Sequence, residues 1–128
     1  MTELPGSTIR AFVVWEPILS TDWASPSTGV LARVFDRRAA QYWDREQLVA
    51  KQMATHEDQP EPECCLRDGI LWDLAAVYAR GARWTDRIPS AVYVDGPVVE
   101  IRDALKAAIV EAAAGSPSKP AGASASIR

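Results

Sequence analysis

The chain is 128 residues long, 48% of it is apolar, and its net charge is −3. That is the size of one domain with enough apolar material for a core without staples, and it lacks the basic footprint that nucleic acid requires. No stretch approaches the roughly 20 apolar residues of a membrane span, and MTELPGSTIR has no basic start followed by an apolar run, so it does not read as a secretory signal. The composition therefore predicts a cytoplasmic protein with no nucleic-acid and no membrane partner, its two cysteines held as reduced thiols.

Residues 1–8 read as an N-terminal arm. Ile9 to Trp15 (IRAFVVW) is β-branched and aromatic, which suits a buried central strand. Glu16-Pro17 ends it. Ser20 to Thr28 (STDWASPST) has the composition of a loop or helix entry, with Ser25 and Ser27 as N-cap candidates. Gly29 to Phe35 alternates like a strand and suits a first helical turn equally well. Asp36 is placed to cap a helix over Arg37 to Ala54, since Ala39, Tyr42, Trp43, Val49, Ala50 and Met53 share one helical face. Arg37 and Arg38 then fall on its solvated first turn.

His56 to Glu63 (HEDQPEPE) is acidic and broken by two prolines, which predicts an exposed loop. Ile70 to Tyr78 (ILWDLAAVY) alternates as a second strand. Gly81 to Arg87 is a polar connection. Ile88-Pro89 opens an apolar run, Ala91 to Val94, then an Asp95-Gly96-Pro97 turn, a second apolar run, Val98 to Ile101, and a helix. Ile101, Leu105, Ala108 and Ile109 form that helix's apolar stripe. Residues 115–128 (GSPSKPAGASASIR) are low in complexity and read as a disordered tail.

The order of strand, helix, strand, proline-led hairpin and helix resembles the thioredoxin-like superfamily. Ile88-Pro89, with the hairpin and helix behind it, carries most of the likeness, which covers Arg10 to about Val110. The resemblance implies an α/β fold over residues 9–114, with a central four-stranded mixed sheet flanked by helices and a C-terminal Pro-led β-hairpin plus helix. It implies a cis bond before Pro89, facing the active-site cleft. The family's Cys-x-x-Cys turn has its counterpart in Trp23-Ala24-Ser25-Pro26-Ser27, where Ala24 and Ser27 occupy the cysteine positions. Dithiol chemistry at that turn is therefore lost.

Cys64-Cys65 is the one chemically unusual constellation. Neighbouring Cα atoms lie about 3.8 Å apart, closer than the 4.4–6.8 Å of ordinary disulfides, so the expected resting form is a dithiol. Adjacent thiolates are soft donors. They are candidate ligands for a soft metal or metalloid ion such as Cu(I), Hg(II) or As(III), with His56, the chain's single histidine, as a third ligand. They are equally candidates for redox exchange with a small thiol. Arg67 would lower a thiol pKa, and the acidic loop would raise it. The plain alternative is that one cysteine packs as a small hydrophobe.

The chain has five tryptophans, most of them suited to a core. Trp23 and Trp84 sit in polar segments near the expected Pro89 cleft. With Ser25, Ser27 and Pro89 they define a candidate surface for a protein partner. Two functions are thereby in view: thiol chemistry through Cys64 and Cys65, or a redox-inactive interaction module using the Trp23–Trp84–Pro89 edge.

Overall fold

A computed structural model describes residues 4, 6–55 and 63–115. Most of the acidic segment, with His56, and most of the low-complexity tail lie outside the described residues. Strand β1 (Ala11–Trp15) forms where β-branched and aromatic side chains cluster. It pairs in parallel with β2 (Ala39–Trp43), in register from Ala11 opposite Ala39 to Trp15 opposite Trp43. The connection carries a one-turn helix, α1 (Thr28–Leu31), whose N-terminus is capped by Ser27: its Oγ accepts the Val30 N–H at 3.4 Å. Gln41 ties the unit together. Its Oε1 accepts the Trp15 indole N–H at 3.0 Å, and its Nε2 donates to the carbonyls of Leu31 and Val34 at 2.9 and 3.2 Å.

The single helix expected over Arg37–Ala54 is replaced by strand β2 and a shorter helix, α2 (Leu48–Ala54). Pairing with β1 extends the aromatic half of that segment. Asp44 then turns the chain, its Oδ2 accepting the Val49 N–H at 2.8 Å. Arg38, expected on a solvated helical turn, is a latch at the start of β2. Its Nε and Nη2 grip the two Asp36 carboxylate oxygens at 3.0 and 2.7 Å, and its Nη1 donates to the Leu4 carbonyl and Ser7 Oγ at 2.7 and 2.8 Å.

A 3-10 turn at Glu63–Cys65 leads into a hairpin of β3 (Leu66–Arg67) and β4 (Ile70–Leu71). Asp68 and Gly69 both have positive φ, 51° and 74°, the requirement of a type I′ turn. Asp73, also at φ 51°, interrupts the long strand expected over Ile70–Tyr78. The chain resumes as β5 (Ala75–Val77), antiparallel to β6 (Tyr93–Asp95). Helix α3 (Arg102–Ala113) packs on β5 and β6, and α2 packs on β4. Ala50, Cys65, Leu71, Ile88 and Ile101 are the buried apolar residues among those described. On the β1–β2 pair, Phe12 and Tyr42 are exposed neighbours, their ring centroids 6.3 Å apart.

The four-stranded sheet of a thioredoxin-like fold is therefore not formed. The described strands make three separate two-stranded sheets, β1–β2 parallel and β3–β4 and β5–β6 antiparallel. Two local features account for this. The left-handed Asp73 splits the second strand, and Val98–Ile101 does not return beside β6. Instead Val98 N–H donates to the Asp73 carbonyl at 3.2 Å and Glu100 N–H to the Pro97 carbonyl at 2.9 Å, steering the chain into α3. The cis bond expected before Pro89 is likewise absent. Among the described residues the cis bond lies at Gly96-Pro97, where the chain reverses after β6. No helix among the described residues is long and apolar enough to cross a membrane.

Candidate functional site

Two places concentrate chemistry. The first is the cysteine turn. Cys64 is exposed, whereas Cys65 is only 1% exposed. The expectation of free thiols is corrected: the two sulfurs are joined as a disulfide across Cα atoms 3.8 Å apart. The 3-10 turn brings both side chains together, and the buried one is held from below. Cys65 Sγ stands 3.6 Å from the Asp73 carbonyl oxygen. A disulfide sulfur carries no proton, so this is packing; a reduced Cys65 thiol would have that carbonyl as its acceptor.

Gly96 closes the other side. A Cβ there would lie 2.6 Å from Cys65 Sγ and 2.6 Å from the Asp73 carbonyl oxygen, so only glycine lets the chain pass. The Cys65 carbonyl accepts the Trp72 N–H at 2.9 Å, extending the hairpin's bonding up to the disulfide. Among the described residues no group of three His, Cys, Asp or Glu side chains is placed to hold a metal ion. His56, the third ligand expected from the sequence, lies outside the described residues.

The second place is the C-terminal end of the parallel pair, where side chains from successive connections meet. Glu16 and Asp44 directly follow Trp15 and Trp43, which are in register, and Asp44 N–H donates to the Trp15 carbonyl at 2.8 Å. Burial, then the negative charge of Asp44, pushes the Glu16 carboxyl up to about 7. Its Oε2 is buried and has no hydrogen-bond partner among the described residues. Such a group is half-protonated near neutrality, the range useful for proton transfer.

Beside it lies a cleft of about 230 Å³ lined by Pro17, Leu19, Ser20, Asp22, Trp23, Trp43 and Arg45. Trp23 is 82% exposed. Asp22 shapes the rim: its Oδ2 accepts the Leu19 and Ile18 N–H groups at 2.9 and 3.3 Å. Of the surface expected from the sequence, Trp23 lines this cleft, while Trp84 and Pro89 do not. Ser25 is exposed, and Ser27 is occupied as the α1 cap.

Sequence reasoning missed Glu16, Asp44, Trp43, Arg45 and Gly96. A signal for four of them was present. Trp15-Glu16-Pro17 and Trp43-Asp44-Arg45 are two aromatic–acid steps, each at the end of an apolar run. Reading the second run as a helix hid their equivalence. Compared with models of known protein families, with curated proteins and with solved structures, the chain matches none of them.

Proposed function

We propose that the protein is a thiol–disulfide exchange protein acting through Cys64 and Cys65, with a small thiol of the cytoplasmic pool as its partner. The observation that supports this most directly is the asymmetry of the pair: one sulfur exposed, its bonded neighbour buried. A thiolate from solvent reaches Cys64 Sγ and forms a mixed disulfide there. The Cys64–Cys65 bond breaks, and Cys65 Sγ leaves with the electron pair and takes up a proton beside the Asp73 carbonyl. A second small thiolate attacks the small-molecule sulfur of the mixed disulfide. That releases the oxidised small disulfide and leaves Cys64 as a thiolate. Two small thiols are thereby oxidised and the protein disulfide is reduced; the reverse sequence restores it.

Soft-metal chelation by the reduced pair draws on the same sulfurs. It is the less favoured reading, because both sulfurs must face one ion and Cys65 is seated under Gly96. Exchange needs only Cys64 to be open.

Intact mass under native conditions, with glutathione as the thiol, tests the proposal. Wild-type protein should be reduced with the stoichiometry of two thiols per disulfide. Cys65→Ser should accumulate a mixed disulfide at Cys64 when offered oxidised glutathione, and Cys64→Ser should react far more slowly. A pair that resists glutathione until the protein is denatured would sink the reading.

A further inference from the structure

We infer that the cleft between Trp23 and Trp43 binds a small zwitterion with an apolar body, of the free α-amino acid class. This site is separate from the cysteine turn, and its binding chemistry is independent of the thiols.

Two opposite charges share the cleft without meeting. Asp22 and Arg45 both line it. Arg38 is ion-paired with Asp36, whereas Asp22 and Arg45 form no such bridge with each other. Asp22 spends Oδ2 on two backbone N–H groups, which fixes its turn, and its Oδ1 makes no hydrogen bond among the described residues. The Arg45 guanidinium follows the end of β2 by two residues and makes no ion pair or hydrogen bond among the described residues. A carboxylate and a guanidinium held apart in one depression are complementary to a molecule carrying both an ammonium and a carboxylate. A simple cation would face Arg45, and a simple anion would face Asp22, each a like-charge contact.

The walls supply the rest. Trp23 and Trp43 contribute two indoles, and Pro17 and Leu19 add aliphatic surface. Indole faces suit both an apolar or aromatic side chain and a nearby ammonium. The fixed parts are well anchored, since Trp43 ends a paired strand and Asp44, next to it, is bonded to the β1 end. Asp44 lies in the chain between Trp43 and Arg45, both of which line the cleft, and its carboxylate adds negative charge there. The ammonium is therefore the stronger handle, and Arg45 chiefly selects for the carboxylate.

The test uses the full chain and three probes of one shape: phenylalanine, phenethylamine, which lacks the carboxylate, and 3-phenylpropanoate, which lacks the ammonium. Binding is read from the indole N–H signals of ¹⁵N-labelled protein, which report on Trp23 and Trp43 separately from Trp15, Trp72 and Trp84. Phenylalanine should shift Trp23 and Trp43 saturably and bind best. Phenethylamine should be weaker by roughly three- to tenfold, the scale of a partly exposed charge-assisted contact, and 3-phenylpropanoate weaker still. Arg45→Gln should remove the preference for phenylalanine over phenethylamine while leaving the other indole signals in place, which shows the fold intact. A Cys64→Ser variant should bind phenylalanine like the wild type, so failure of the thiol reading and failure of this one are told apart. No saturable shift with any probe, 3-phenylpropanoate binding as well as phenylalanine, or an unchanged preference in Arg45→Gln each overturns the inference.

Discussion

The sulfur of Cys65 and the backbone of Gly96 are packed so closely that the smallest side chain cannot come between them. The distance from Cys65 Sγ to a Cβ built on Gly96 is 2.6 Å, well inside any real contact. The disulfide is thus seated against the stretch that leaves β6.

Gly96→Ala should therefore destabilise the protein by about 1–3 kcal/mol, the range for overpacking a well-filled site. Removing the sulfur should recover only part of this, because the same Cβ also meets the Asp73 carbonyl at 2.6 Å. Denaturant unfolding of Gly96→Ala, Cys65→Ala and the double variant checks the coupling. Strict additivity of the two substitutions would refute the contact.

Gly69→Ala is the contrasting case. Among the described residues nothing lies within 4 Å of a Cβ built there, so space is not the issue; the positive φ of 74° is. The expected cost is about 1 kcal/mol from backbone strain in the hairpin turn. Gly69→Asn, a residue that tolerates this conformation, should cost less. Equal losses for the two variants would argue against a type I′ turn.

Glu16 sets a pH dependence. Its folded carboxyl sits at about 7, above its unfolded value near 4.5, so the folded state binds the proton more tightly. The stabilisation from the neutral form is complete below pH 4.5 and is lost as pH rises through 7. Allowing for solvent screening of the part-exposed group, the loss is about 1–2 kcal/mol. Glu16→Gln should flatten this slope and be the more stable protein above pH 7. Urea midpoints across pH 5–8 would show it, and parallel curves for the two proteins would rule it out.

The Arg38 latch predicts a local effect. Arg38→Lys keeps the charge and loses the planar fork that holds Asp36, Leu4 and Ser7 together. Hydrogen exchange should speed up at Ser7 and at Ala39, the first residue of β2, with little change in α3. The bonds from Arg38 hold the Asp36 carboxyl well below the usual carboxylate range, so the latch should stay closed in mild acid and open only as pH falls far below 4.

Parts of this fold were legible in the sequence. The β-branched run Ile9–Trp15 contains a strand, and of the predicted stripe Leu105, Ala108 and Ile109 lie on the less exposed side of α3 while Ile101 is buried at its N-cap. The second strand was not, because Ala39, Tyr42 and Trp43 fall at spacings that fit a helix face as well as a paired strand. Pairing with β1, a contact between distant segments, decided between them. The Asp68-Gly69 turn carried a recognised hairpin signal that the alternation of Ile70–Tyr78 obscured. The left-handed Asp73 has no such signature, and it is the residue that keeps β4 and β5 apart. Of the candidate sites, the cysteine pair was plain as a motif. Cys65 packs against Asp73 and Gly96, contacts that no motif in the sequence announces.

Because Cys64 and Cys65 are consecutive, their bond encloses no loop of chain. A cross-link that spans no loop takes almost nothing from the freedom of the unfolded polypeptide. Making or breaking it is therefore a change of local shape, not the fastening or release of a staple. On the exchange proposed above, either oxidation state would be a reversible mark, written at the surface through Cys64 and felt one layer down where Cys65 meets the end of β6.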